Sequence, residues 1–201
     1  RQYVILGAGL DTFAQRRPAG AEGLQIFEVD QPSPQEWKRH RLVELGYGMP
    51  TWLRLVPVDF EAGGDWLERL SAEGFDAKLP AIVASTGVSM YLTREAIAGM
   101  LRQVASLAEG TTFLMTFLLP PEQMSTELRP GFEVSQRGAK ASGTPFISFF
   151  LPEEVLGMAR DAGFKDARHV TAAALAHRYF ANRSDSFRTA PNSEEWLVAT
   201  T

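Results

Sequence analysis

A chain of 201 residues is the size of one domain, large enough to bury about 70% of the surface its unfolded form exposes, so it needs no disulfide or structural metal to hold it. Apolar residues make up 45% and charged residues 22%, ordinary for a globular domain, and the net charge of −4 offers no field that would attract nucleic acid. The lack of cysteine removes thiolate metal sites and a cysteine nucleophile and fits a reducing cytoplasm, while no apolar run approaches the ~20 residues of a membrane span.

The chain has no initiator Met and opens inside its first strand, so a preceding segment is expected. Tyr3 to Leu6 is short, apolar and partly β-branched, the pattern of a strand covered on both faces. It empties into Gly7-Ala8-Gly9, a turn without Cβ atoms against which a ligand can lie. A short helix before Pro18 is expected, then a strand from Leu24 to Val29 closed by Asp30, 23 positions after Gly7. Strand, glycine turn, helix and a strand ending in an acid is how a Rossmann-type domain holds a nucleoside, the acid accepting hydrogen bonds from the ribose. A period of two puts Glu28 and Asp30 on one side, so either acid could reach a ribose, Asp30 lying nearer the carboxyl edge. The dinucleotide fingerprint asks for a third glycine at position 12, where this chain has Thr12 after Asp11. That favours a ligand with a ribose and no phosphates, S-adenosylmethionine first among them. A tight turn without a ligand is the plainer alternative.

Ser33-Pro34-Gln35-Glu36 has the composition of a helix start, with Ser33 as N-cap and Glu36 closing a capping box. The helix runs to about Leu45, and its charged residues Lys38, Arg39, His40, Arg41 and Glu44 read as a solvated face. A third strand, Trp52 to Val58, leads into Asp59-Phe60, an acid and an aromatic that suit an adenine amino group and ring, or equally a helix cap and a core side chain. An amphipathic helix from Asp65 ends near Gly74, and Leu79 to Ser85 is the fourth strand, opening into Thr86-Gly87-Val88-Ser89-Met90-Tyr91-Leu92. The loop after the fourth strand of such a sheet faces the reacting end of the ligand. Thr93 caps a helix to about Ala108, and Thr111 to Leu119 is the fifth strand. From Pro120 to about Ser148 no clear period is visible, which fits a substrate-side loop or lid, or else disorder, or a short helix around Pro121 to Leu128. A helix from Pro152 to Arg160, a strand from Lys165 to Thr171 and a last strand from Glu195 to Thr200 complete the order. The expected fold is α/β, a doubly wound Rossmann-like sheet of seven strands with the last antiparallel.

Val-Ile-Leu-Gly-Ala-Gly-Leu-Asp-Thr12, Phe-Glu-Val-Asp-Gln-Pro32, Pro-Val-Asp-Phe60, Gly-Val-Ser-Met-Tyr-Leu92 and Arg-Tyr-Phe180, in this order, resemble the leucine carboxyl methyltransferase family, in particular its bacterial branch of S-adenosylmethionine-dependent O-methyltransferases. The resemblance implies the class I methyltransferase fold and S-adenosylmethionine as cofactor. It implies that the turn of Gly7, Ala8 and Gly9 lies beside the methionine part, that Asp11 is among the cofactor-binding residues, that Asp30 takes the ribose, and that Asp59 and Phe60 meet the adenine. Thr86 and Gly87 fall where the fourth loop faces the cofactor; family members usually carry Glu at the position of Thr86. Members also have a helical segment ahead of the first strand that supplies an Arg for the cofactor carboxylate.

Methyl transfer from a sulfonium is a direct displacement, so alignment and exclusion of water matter most. A carboxylate acceptor needs no general base, whereas a hydroxyl does. His40, His169 and His177 are scattered and make no metal site, and neither His177 nor Tyr91 stands out as a catalytic residue. The expected partner is a small-molecule methyl acceptor, and a homodimer is compatible with the chain. A non-catalytic cofactor-binding protein and an NAD(P)-dependent oxidoreductase are the other readings, the latter opposed by Thr12.

Overall fold

The apolar runs that end in glycine, proline or an acid become the strands of one sheet. They are β1 (Gln2–Leu6), β2 (Gln25–Asp30), β3 (Leu53–Pro57), β4 (Ile82–Ser85), β5 (Thr112–Leu118), β6 (Asp166–Val170) and β7 (Glu194–Thr200). The connecting helices are α1 (Phe13–Arg16), α2 (Pro32–Glu44), α3 (Trp66–Ala72), α4 (Arg94–Ala105), α5 (Arg129–Ala141), α6 (Pro152–Ala162) and α7 (Ala172–Phe180). The computed structural model describes residues 1–63, 65–185, 187 and 194–201.

The strand order is β3-β2-β1-β4-β5-β7-β6. β1 to β5 pair in parallel, and β7 runs antiparallel to both its neighbours, β5 and β6. The seven-stranded doubly wound sheet expected from the sequence is therefore present. Its order reverses between β1 and β4, and ligands of open α/β sheets bind outside the carboxyl ends of the strands at such a point.

Side chains alternate across the sheet and divide the core in two. On one face Val4, Phe27, Val83, Phe113, Phe117 and Leu197 pack against α3, α4 and α6. On the other, Ile5, Ile26 and Leu53 meet Ala14 of α1 and Leu42 of α2. Further along that second face Leu114, Trp196 and Val198 are half-buried, and Ile82 is 50% exposed. No helix among the described residues is long and apolar enough to cross a membrane.

Several boundaries differ from the sequence reading. β4 starts at Ile82, because Leu79 N–H turns back to the Asp76 carbonyl at 3.1 Å and Pro80 has no N–H to give a ladder. α2 starts at Pro32 with Gln31 as N-cap, so Ser33 lies inside the helix and no capping box forms; Glu36 instead takes Arg39 at 2.5 Å and His40 at 2.8 Å. Those partners hold its carboxyl down at about 2. The stretch from 120 to 148 is not a bare loop, since α5 occupies 13 of its residues after a 3-10 turn at Pro121–Gln123. α7 follows β6 directly, capped by the Thr171 hydroxyl, which accepts Ala174 N–H at 3.0 Å.

Candidate functional site

The glycine turn after β1 is pinned from beneath by the end of β2. Gly7 and Ala8 donate their N–H groups to the Val29 carbonyl at 2.7 and 3.2 Å, and Gly9 donates to Oδ2 of Asp30. Gly7 and Gly9 both take left-handed backbone, at φ of +69° and +47°, yet for different ends. A Cβ on Gly7 would lie 2.4 Å from Cγ2 of Val88, so this glycine is required by the loop after β4 packing onto the turn. A Cβ on Gly9 would meet nothing within 4 Å, so this glycine presents bare backbone to open space.

Asp30 is half-buried at the tip of β2, with Oδ1 accepting Gln31 N–H at 2.7 Å and Oδ2 accepting Gly9 N–H. Each oxygen keeps a further lone pair for a ligand hydroxyl. Glu28, the other acid that its spacing put forward, cannot serve: it is fully buried and its Oε2 takes Lys38 Nζ at 2.5 Å. Burial raises the Glu28 carboxyl above its ordinary value, Lys38 counters this in part, and the charges of Asp11 and Asp30 add to the rise. Lys38 corrects a second expectation. It belongs to no solvated face but to a buried stripe with Gln35 and Leu42 on α2, and its Nζ also donates to the Asp11 carbonyl at 2.7 Å. Gln35 completes the stripe by donating to the carbonyl of Glu28 at 2.8 Å. The Asp11 carboxylate faces α1, accepting Phe13 N–H at 2.6 Å, so its role in this structure is to cap the helix after the turn.

The end of β3 is tied to the same place, since Val58 N–H donates to the Asp30 carbonyl at 2.8 Å. Asp59 beyond it is exposed and accepts Glu61 N–H at 3.0 Å, while Phe60 is half-buried against the core. Glu61 then crosses to the start of α4, accepting Thr93 N–H at 2.7 Å and the Thr93 hydroxyl at 3.0 Å. Asp59 and Phe60 line a groove of about 380 Å³ with Trp66, Thr93, Ala96 and Gly99. The glycine turn, Asp30, Thr86 and Gly87 lie outside that groove, so the site is an open crevice along the strand ends and not one enclosed pocket.

Thr86 is exposed, and Gly87 N–H donates to the Thr116 hydroxyl at 2.8 Å. The Ser85 hydroxyl beneath them is buried and has no hydrogen-bond partner among the described residues. Beside this loop Met90, Leu118 and Met124 form a small core that α5 and its neighbours cover with Phe132, Phe146 and Phe149. Tyr91, 40% exposed, stands edge-on to Phe146 with ring centroids 5.4 Å apart. His177 is exposed on α7, and His40 is exposed on α2. His169 meets the buried Glu195 at 2.9 Å, at the carboxyl end of β6. Among the described residues no group of three or more His, Asp or Glu could hold a metal ion.

The structure thus brings Gly7, Ala8, Gly9, Asp11 and Asp30 into one hydrogen-bonded unit, with Val88 carrying Thr86 and Gly87 to it and Glu61 fixing Asp59 and Phe60 alongside. Reading the sequence missed Lys38, Glu61 and Val88. A lysine ten residues after a strand glutamate was the one available hint, and a run of four basic residues hid it.

The sheet order, five parallel strands and an antiparallel β7 between β5 and β6, is that of the class I methyltransferase fold. The sequence profile of the leucine carboxyl methyltransferase family matches residues 1–105, and the chain belongs to that family. It is 32% identical over 189 residues to the Bacillus subtilis (strain 168) protein named "Putative S-adenosyl-L-methionine-dependent methyltransferase YktD", an overlap of 92% of this chain and 61% of that one. A Mycobacterium avium (strain 104) protein of the same designation is 38% identical over 119 residues, 59% of this chain and 38% of its own length. The matches therefore span 61% and 38% of these relatives' own lengths, less than two thirds of either. Among solved structures it resembles Haemonchus contortus phosphoethanolamine N-methyltransferase 2 in complex with S-adenosyl-L-methionine, with a TM-score of 0.62 at 14% identity over 100% of this chain and 48% of that one. Human N-acetylserotonin methyltransferase in complex with the same cofactor gives 0.54 at 14% identity, again over 100% of this chain and 47% of that one. At such identities the likeness is one of fold.

Proposed function

We propose that this chain forms the cofactor-binding core of an S-adenosylmethionine-dependent methyltransferase, and that the methyl acceptor is a carboxylate or hydroxyl oxygen of a small molecule. The observation that carries the reading is the half-buried Asp30 carboxylate set against the open backbone of Gly9. The residues fit the cofactor. Asp30 has lone pairs for a ribose diol, Gly9 leaves room for a chain laid across it, and Asp59 with Phe60 offers an acceptor and a ring edge for adenine. The names of the relatives support the same assignment.

When bound, the sulfonium supplies an electrophilic methyl group and a good leaving group. The protein's part is alignment and exclusion of water, with a general base besides where the acceptor is a hydroxyl. Asp30 anchors one end, the Gly7–Gly9 turn bounds the middle, and the loop from Thr86 to Tyr91 borders the reacting side. The apolar group of Met90, Phe132 and Phe146 shields that side and favours an acceptor with an apolar body. Thr86 supplies a neutral hydroxyl there, which favours the second reading, a protein that binds the cofactor without transferring its methyl group.

Calorimetric titration with S-adenosylmethionine, S-adenosylhomocysteine and NADH tests the proposal. Binding of the first two and not the third is the expected result. Binding of NADH alone, or of none of the three, would refute it.

A further inference from the structure

We infer that the buried Lys38–Glu28 pair is a positioning device that fixes the backbone from Gly9 to Asp11 for the cofactor, without touching it. This rests on the reading of the crevice given above. Lys38 is 5% exposed and Glu28 wholly buried, yet a buried ion pair is a poor stabiliser, since desolvating two charges offsets most of their attraction and apolar residues of like volume often do as well. What an apolar pair could not supply is the third contact, Lys38 Nζ to the Asp11 carbonyl at 2.7 Å.

That contact joins three segments distant in sequence: α2 through Lys38, β2 through Glu28, and the turn through Asp11. The turn is otherwise held at its near end by the Val29 carbonyl and in the middle by Asp30, the residue that a ribose would engage. Lys38 is thus the anchor on the far side of Gly9, one that stays in place when a ligand competes for Asp30. Glu28 holds the ammonium in register by accepting from it at 2.5 Å. Gln35, on the same face of α2, secures the Glu28 backbone at 2.8 Å, so the whole stripe locks the tip of β2 to the turn.

The test uses Lys38→Met, Glu28→Gln, the double variant carrying both, and Lys38→Arg. Three quantities are measured on each: the melting temperature, affinity for S-adenosylhomocysteine, and single-residue amide exchange in cofactor-free protein. The reporters are the amides of Gly9, Asp11 and Phe13, which bond to Asp30, Ala8 and Asp11. Lys38→Met should melt early, exchange those amides about tenfold faster with β1 unchanged, and bind about tenfold more weakly, the scale of one charge-assisted hydrogen bond. The double variant leaves no unpaired buried charge, so its melting temperature should recover while fast exchange and weak binding persist.

If protection and affinity return with the melting temperature, the pair is only a neutralised buried charge and the inference fails. It fails equally if exchange in the turn never changes. Should Lys38→Met not fold, the double variant and Lys38→Arg carry the comparison. If the unmodified chain binds no S-adenosylhomocysteine, the proposed function falls, and amide exchange alone still decides the role of Lys38.

Discussion

Replacing Gly7 by Ala should unfold the protein more readily than replacing Gly9 by Ala, although both glycines have positive φ. At either position an L side chain in left-handed backbone costs about 1–2 kcal/mol. At Gly7 the new methyl also meets Val88 Cγ2 at 2.4 Å and Cγ1 at 3.0 Å, which forces the loop after β4 to move. Overpacking of this kind adds about 1–3 kcal/mol, so Gly7→Ala should lose about 2–5 kcal/mol in all. Gly9→Ala, with nothing within 4 Å, should lose only the backbone share. Urea unfolding at constant m-value reads the difference as a shift in midpoint. Adding Val88→Ala to Gly7→Ala removes both offending methyl groups, leaves the Cβ at 3.3 Å, and should return part of the loss. Binding should run the other way, with Gly9→Ala retaining its fold and losing affinity for S-adenosylhomocysteine by more than about tenfold, because its methyl occupies the ligand's space. Equal midpoints for the two variants, or a Val88→Ala change that only adds to the damage, would refute this division of labour.

Asp30→Ala should abolish detectable cofactor binding while the far-ultraviolet spectrum and cooperative melting persist; normal affinity would remove the ribose assignment. Asp65→Ala strips the α3 cap, whose carboxylate accepts Leu67 and Glu68 N–H at 2.9 and 3.2 Å, and should cost about 1 kcal/mol in urea without touching affinity. Glu28 sits above its ordinary value of 4.5, so the folded state holds that proton to a higher pH than the unfolded chain does. Its contribution to stability is therefore full below 4.5 and falls away as pH rises through the raised value. Urea midpoints taken upward from that pH should carry a downward component that Glu28→Gln lacks, and parallel curves would contradict the assignment.

Strands β1 and β5 were legible because a strand buried on both faces reads as a nearly continuous apolar run, and β2 because Ile26, Phe27 and Val29 outweigh Glu28. The acid at the tip of β2 was legible from its place after that run, although a period of two left Glu28 open beside it. α5 was not, because its 13 residues bury none of their own number and its one large contact, Phe132, reaches Phe146 and Phe149 in a later segment. α7 is mostly alanine at its start and has no apolar stripe of large side chains to announce it. Lys38 stayed hidden because its acceptors, Asp11 and Glu28, lie 27 and 10 positions away, and local pattern carries no record of such a meeting. Val88 and Gly7 are further apart still, so the packing demand on Gly7 left no local trace either.

Strand β7 closes the sheet out of sequence. It follows β6 in the chain yet lies between β5 and β6, and among the described residues β6 has no other strand neighbour. Its rungs join positions as far apart as Thr112 and Thr200, and Thr201 beyond it ties back to Thr111 at 3.1 Å and Ala108 at 2.7 Å. The five parallel strands can therefore close while α6, β6 and α7 are still unplaced. Until β7 arrives, β5 presents an open edge with Phe113, Met115 and Phe117 waiting on one face, the kind of edge on which unfinished chains pair with one another. The crevice sits at the carboxyl ends of β1 to β4, and β5 separates it from the β7 ladder.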